Sequence, residues 1–183
     1  DVALQMGIEY AHHKGVAVGY WGSTLDYDPS DDSETKDHGF EHNFYLAYAQ
    51  KINQDWHYKV QTTAYYYQDG GTVYADNGDA RKTTALDVLG ELAYKNLTLG
   101  AVVMLTDVSF ANAGDVYLNA RYRYALAQNF MLNSSVGASI YNSSRDDSMM
   151  ATQNKIAFNE ARIGVSKEIP NTAVTSSLDY VVG

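Results

Sequence analysis

The feature that most constrains this chain is a strand-period alternation of apolar and polar residues, in segments joined by connections that are alternately short and long. From Phe40 onward one parity reads Phe40, His42, Phe44, Leu46 and Tyr48, and the other reads Glu41, Asn43, Tyr45, Ala47 and Ala49. Successive side chains of a strand point to opposite faces, so such a segment has one apolar and one polar face. A soluble barrel turns the apolar face inward. A membrane barrel turns it to lipid and lines its interior with the polar one.

The pattern predicts ten antiparallel strands, over 2–11, 16–25, 40–50, 56–68, 83–94, 97–106, 115–125, 130–141, 155–166 and 173–182. Most are about 10 residues long, the length a tilted strand needs to cross a bilayer. Connections 12–15, 51–55, 95–96, 126–129 and 167–172 are short, and those between them, 26–39, 69–82, 107–114 and 142–154, are mostly longer and polar. This alternation gathers the turns at one end and the long loops at the other, as in an up-and-down outer-membrane barrel. No run approaches the roughly 18 apolar residues of a spanning helix. A chain of this kind crosses lipid only as a closed barrel, because lipid offers free backbone groups no partner. The 183 residues suffice for one such domain. The mean hydropathy of −0.34 reflects the polar faces, and the net charge of −9 argues against a nucleic-acid partner.

The sixteen tyrosines are not scattered. On the apolar parity near the short turns stand Tyr10, Tyr48, Trp56, Tyr58, Tyr94, Tyr122, Tyr124 and Phe130. Amphipathic rings at one height form the girdle that sits at headgroup level, and Phe40, Phe44 and Tyr66 are candidates for the opposite girdle. Leu4, Met6, Ile8, Val60, Val88, Leu92, Leu99, Leu118 and Val136 fill the band between.

The polar parity carries the acids Glu9, Glu41, Asp87, Glu91, Glu160 and Asp179 and the bases Lys59, Arg121, Arg123 and Arg162. Near balance of opposed charge across a narrow lumen creates a transverse field that selects solutes by charge and size. Arg121, Arg123, Arg162, Glu91 and Glu160 are the expected constriction. The alternative is that these charges pair with one another and plug the barrel, since unpaired charge in a low-dielectric interior is costly.

The first long loop is acidic: Asp26, Asp28, Asp31, Asp32, Glu34 and Asp37 fall within twelve residues. Carboxylates in such number can hold calcium, or bridge divalent ions to lipopolysaccharide phosphates, but the run lacks the glycine and terminal glutamate of an EF-hand. Solvated surface is the simpler reading. No cofactor or metal is expected. His42 lies on the apolar parity with no serine spaced to partner it, so catalysis is not expected.

Several stretches are similar to a known family. Ala3-Leu4-Gln5-Met6-Gly7-Ile8-Glu9-Tyr10-Ala11-His12 and Gly15-Val16-Ala17-Val18-Gly19-Tyr20-Trp21-Gly22-Ser23 resemble the opening of the TorF-type family of outer-membrane porins. So do Tyr65-Tyr66-Tyr67, Tyr117-Leu118-Asn119-Ala120-Arg121-Tyr122-Arg123-Tyr124 and Ile163-Gly164-Val165-Ser166-Lys167-Glu168. Met6 stands where that family has glycine, and Val16-Ala17 where it has an aromatic pair. The resemblance implies a transmembrane β-barrel in the outer membrane of a Gram-negative bacterium, with lipid, lipopolysaccharide and small solutes as partners and passive ion and solute transport as activity.

With the short turns periplasmic, the first and last strands leave both chain ends outside. A strand before Asp1 and another after Gly183 would return them to the periplasm, so twelve strands are expected in the complete protein. The rivals are a ten-strand barrel, or one completed by a neighbouring copy as a homo-oligomer. A non-conducting structural or adhesive barrel acting through its acidic loops is the alternative function.

Overall fold

The structure is a computed structural model that describes residues 4–25, 39–68, 72–74, 80–142, 155–171 and 175–183. Its strands are β1 (Gln5–Ala11), β2 (Val16–Leu25), β3 (Gly39–Lys51), β4 (Trp56–Gln68), β5 (Thr72–Tyr74), β6 (Ala80–Lys82), β7 (Ala85–Tyr94), β8 (Leu97–Met104), β9 (Val116–Ala125), β10 (Phe130–Ile140), β11 (Ile156–Glu168) and β12 (Thr175–Val182). Ten of them form one antiparallel sheet in chain order, while β5 and β6 pair with each other as a separate hairpin within the second long connection. The ten predicted strands are these ten, with ends shifted by a few residues; the β5–β6 hairpin was not predicted.

Short turns hold one end of the meander. At the β3–β4 turn, Asn53 Oδ1 accepts from the backbone N–H of Asp55 at 2.9 Å and of Trp56 at 3.0 Å. This local bond lets an asparagine substitute for a backbone partner in a tight connection.

The register fixes the faces. Tyr10, Val18, Leu46, Thr62, Val88, Val103, Val116, Ile140 and Ile156 follow one another across successive ladders. On the other face the row Lys59, Glu91, Gly100, Asn119, Gly137 and Glu160 runs from β4 to β11. Between Gly137 and Ala138 the β10–β11 register shifts, leaving Asn159 as the extra residue of a bulge. Without it Phe158 and Glu160, two apart, would share a face. With it Phe158 joins the apolar face and Glu160 the polar one.

The apolar set faces outward. Ile8 is 74% exposed, Leu99 52%, Val136 48% and Ile163 55%. The one hydrophobic cluster of buried residues among those described is small: Ala85, Val108 and Ala111, with Tyr65 and Met104 against it.

The sheet is not closed. Among the described residues β1 pairs with β2 alone and β12 with β11 alone, and every residue of both strands is exposed. Closure was the expectation that the structure does not reproduce. Alternation specifies each hairpin locally, whereas closure depends on tilt and stagger summed over the whole sheet.

Candidate functional site

The polar face is the enclosed, concave side of the sheet: the apolar parity is the exposed one, and side chains and the 105–115 loop reach across strands on the polar side. Tyr45 on β3 donates its phenolic O–H to Glu9 Oε2 on β1 at 2.8 Å, and Tyr117 on β9 donates to Glu160 Oε1 on β11 at 3.1 Å. Strands two apart are roughly 10 Å from each other, a span that a tyrosine and a glutamate cover together. A glycine makes room each time. The Tyr45 ring lies over Gly19 of β2 and the Tyr117 ring over Gly137 of β10, where a side chain would collide with the ring.

A band of charge crosses this face. Arg121 on β9 bridges to Glu91 on β7 through a charge-assisted hydrogen bond across β8. Arg162 Nη2 and Glu160 Oε2 lie 3.9 Å apart on β11, and the register sets Arg162, Ser135 and Arg121 side by side on adjacent strands. Lys59 stands opposite Glu91, and Arg123 leads through Asn133 and Gly164 to Asp179. All the charged residues expected on the polar parity therefore share one face. Glu91 is largely buried beneath its partner, while the side chains of Arg121 and Arg162 keep nearly half their surface exposed. The guanidinium groups are thus paired yet accessible, so neither is fully desolvated.

Toward the long-loop end the face is covered. Residues 105–115 fold back onto it: Val108, wholly buried, and Ala111 pack on Ala85, Tyr65 and Met104, and Phe110 meets Tyr67 edge-on at 5.8 Å. Backbone bonds fasten this loop, with Leu105 N donating to Leu86 O at 2.8 Å and Ser109 N to Lys82 O at 3.1 Å. Asp115 accepts from the backbone N–H of Asn112 at 2.8 Å and of Asn142 at 2.6 Å. Beneath the loop Asp87, 3% exposed, accepts the Tyr65 phenol at 2.7 Å. Sequence reasoning read Asp87 as lumen-lining and the loop as external. In that loop Val108, Ala111 and Asn112 are buried while Phe110 stays exposed, so no strand-period alternation signalled the inward fold.

The sequence pattern described as "Bacterial protein of unknown function (Gcw_chp)" matches residues 1–182. The chain belongs to the Gcw_chp family. That description names no activity and mentions neither porins nor the TorF-type family. No curated protein matches the chain, and no solved structure does.

On the convex face of this Gcw_chp chain the expected girdle residues stand where the short turns begin. Tyr10, Tyr48, Trp56, Tyr94, Tyr122 and Tyr124 are exposed, and Tyr58 and Phe130 are half-buried. Trp56 packs on Tyr94 at 4.7 Å, Tyr48 on Tyr58 at 6.1 Å, and Lys167 Nζ lies 4.6 Å from the Phe130 ring centroid. At the other end His42 accepts or donates through Nδ1 to the Tyr20 hydroxyl at 2.9 Å, inside a cluster with Phe40, Phe44 and Tyr66. The acidic run Asp26, Asp28, Asp31 and Asp32 lies outside the described residues. Among the described residues no group of acids and histidines could hold a metal, and no helix is long and apolar enough to cross a membrane, which leaves strands unaddressed.

Proposed function

We propose that this protein is an outer-membrane channel of the TorF-type porin kind, in which the convex face meets lipid and the concave face lines a path for passive diffusion of small polar solutes. The observation that carries this reading is the inversion of the faces: large aliphatic and aromatic side chains lie exposed outside, and the acids and arginines lie inside the curl. An apolar surface that extends across ten strands far exceeds what a water-soluble monomer exposes. Its band of aliphatic residues, bounded by aromatic rings near the turns, has the layering of a bilayer. In lipid the free edges of β1 and β12 must be satisfied, and in this reading the further strands expected at the two ends of the complete protein close the barrel between them.

The Arg121–Glu91 pair, with Arg162, Glu160 and Lys59 beside it, is the selective element, and the inward-folded loop narrows the path above it. A solute carrying charge exchanges water for these oriented groups as it passes, and uncharged polar solutes pass by size. The resemblance of the opening strands to TorF-type porins supports the same reading.

Single-channel recording in a planar bilayer tests it. Stable conductance steps that scale with salt are the expected result. Silence from a folded, heat-modifiable barrel would replace the channel by a plugged structural barrel that acts through its external loops.

A further inference from the structure

Beside the charged band, the concave face of β1–β4 holds a second feature, a cavity of about 500 Å³. This is the size of a small-molecule site. Glu9, Trp21, Asn43, Tyr45, Gln61 and Tyr65 are among the residues that line it. Its hydrogen-bonding groups are sorted in an unusual way. The Tyr45 hydroxyl is turned onto Glu9 at 2.8 Å, the Tyr65 hydroxyl onto Asp87 at 2.7 Å, Asn43 Nδ2 onto Glu41 at 2.8 Å, and Gln61 Nε2 onto Thr63 Oγ1 at 3.1 Å. One donor of each of these four groups is thus engaged within the protein.

Acceptors are left over. Asn43 is 9% exposed, and its Oδ1 is buried with no hydrogen-bond partner. Its orientation is fixed, because only the amide NH₂ can face the Glu41 carboxylate. Glu9, an exposed acid, uses Oε2 to accept from Tyr45. Among the described residues no lysine or arginine lines the cavity. The base nearest in register, Lys59, lies two residues from Gln61 and is opposed by Glu91. Trp21, set against Gly7 of β1, contributes a half-buried indole.

We propose that this cavity binds organic cations: a primary ammonium group donates to the exposed Glu9 carboxylate while its apolar body lies against Trp21. An ammonium offers three donors and no acceptor, which complements a site with surplus acceptors. The ring face adds attraction for the charge. A carboxylate solute would meet acceptors and a negative charge, and an alcohol would leave Glu9 without a counter-charge. The proposal rests on the concave face being open to solutes, as the channel reading holds, and names the solute class that this half of the face retains.

The test uses the folded full chain in detergent, in a Trp56→Phe background so that Trp21 reports alone. Its emission is followed on titration with butylamine, butanol and butyrate. We expect saturable quenching or shift with butylamine, none with butyrate, and binding at least about tenfold weaker with butanol or after Glu9→Gln. Identical responses to the three compounds, or butylamine binding unchanged in Glu9→Gln, would overturn the proposal. Should Glu9→Gln fail to fold, the comparison of the three compounds on the unsubstituted site decides alone. Bilayer recording with butylamine separates the two readings: binding without conductance keeps the site and removes the channel, and conductance without binding removes the site and keeps the channel.

Discussion

Tyr45 donates its phenolic proton to Glu9 at 2.8 Å from two strands away, passing over the bare backbone of Gly19. Tyr117, Gly137 and Glu160 repeat the arrangement at the opposite side of the sheet. Each trio ties three strands together on the concave side, where a ladder bond ties two. The curl of the sheet and the placement of the two glutamates thus depend on two residues with no side chain.

Adding a methyl group there should be felt directly. Gly19→Ala and Gly137→Ala each place a Cβ against a tyrosine ring, and overpacking of this kind costs roughly 1–3 kcal/mol. Gly90 has open space at its Cβ position, so Gly90→Ala should be neutral or slightly stabilising. Denaturant unfolding from lipid vesicles compares all three; equal losses would show that the rings move aside freely.

Removing the arginines of β9 should alter selectivity ahead of stability. In the channel reading, Arg121→Ala combined with Arg123→Ala leaves Glu91 with Lys59 as its one facing base among the described residues and shifts the reversal potential in a salt gradient toward cation preference. A double variant that fails to assemble would instead assign the Arg121–Glu91 bridge a structural role.

Neighbouring residues on β4 offer a test of which face meets lipid. Val60 is 49% exposed on the convex face, and Gln61 faces the concave side. An arginine near the midplane of a lipid-facing strand costs about 2–4 kcal/mol, so Val60→Arg should impair folding into vesicles while Gln61→Arg is tolerated. Similar behaviour of the two would contradict the membrane assignment.

Val108 anchors the inward loop. Val108→Asp would bury a charge among Ala85, Ala111 and Tyr65, which is strongly unfavourable, so the loop should detach while the sheet survives. We expect unchanged far-ultraviolet circular dichroism, faster proteolysis within 105–115 and larger conductance steps. Unfolding of the whole sheet would make the loop part of the barrel's framework.

How much of this was legible beforehand differs from residue to residue. The side taken by Arg121 and Arg123 followed from their spacing, because residues two apart in a regular strand share a face. Glu160 reached the expected face through the Asn159 bulge, and Phe158, two residues earlier, took the other. Parity counting cannot see an inserted residue. Tyr45 stood visibly on the polar parity, yet its importance depended on Gly19, which is remote in sequence. The cavity around Asn43 and Trp21 was missed because it draws two or three residues from each of four strands, none forming a motif.

By itself the sequence determined the ten-strand meander, the end at which its turns gather and the chemistry of its two faces. These are local properties: a period of two and the composition of each connection specify them within one hairpin. The tertiary structure alone decided which face is concave, that Arg121 finds Glu91 thirty residues away, that residues 105–115 fold inward, and that β1 and β12 stay apart. Those outcomes depend on twist and register accumulated over ten strands, and no single segment carries that sum.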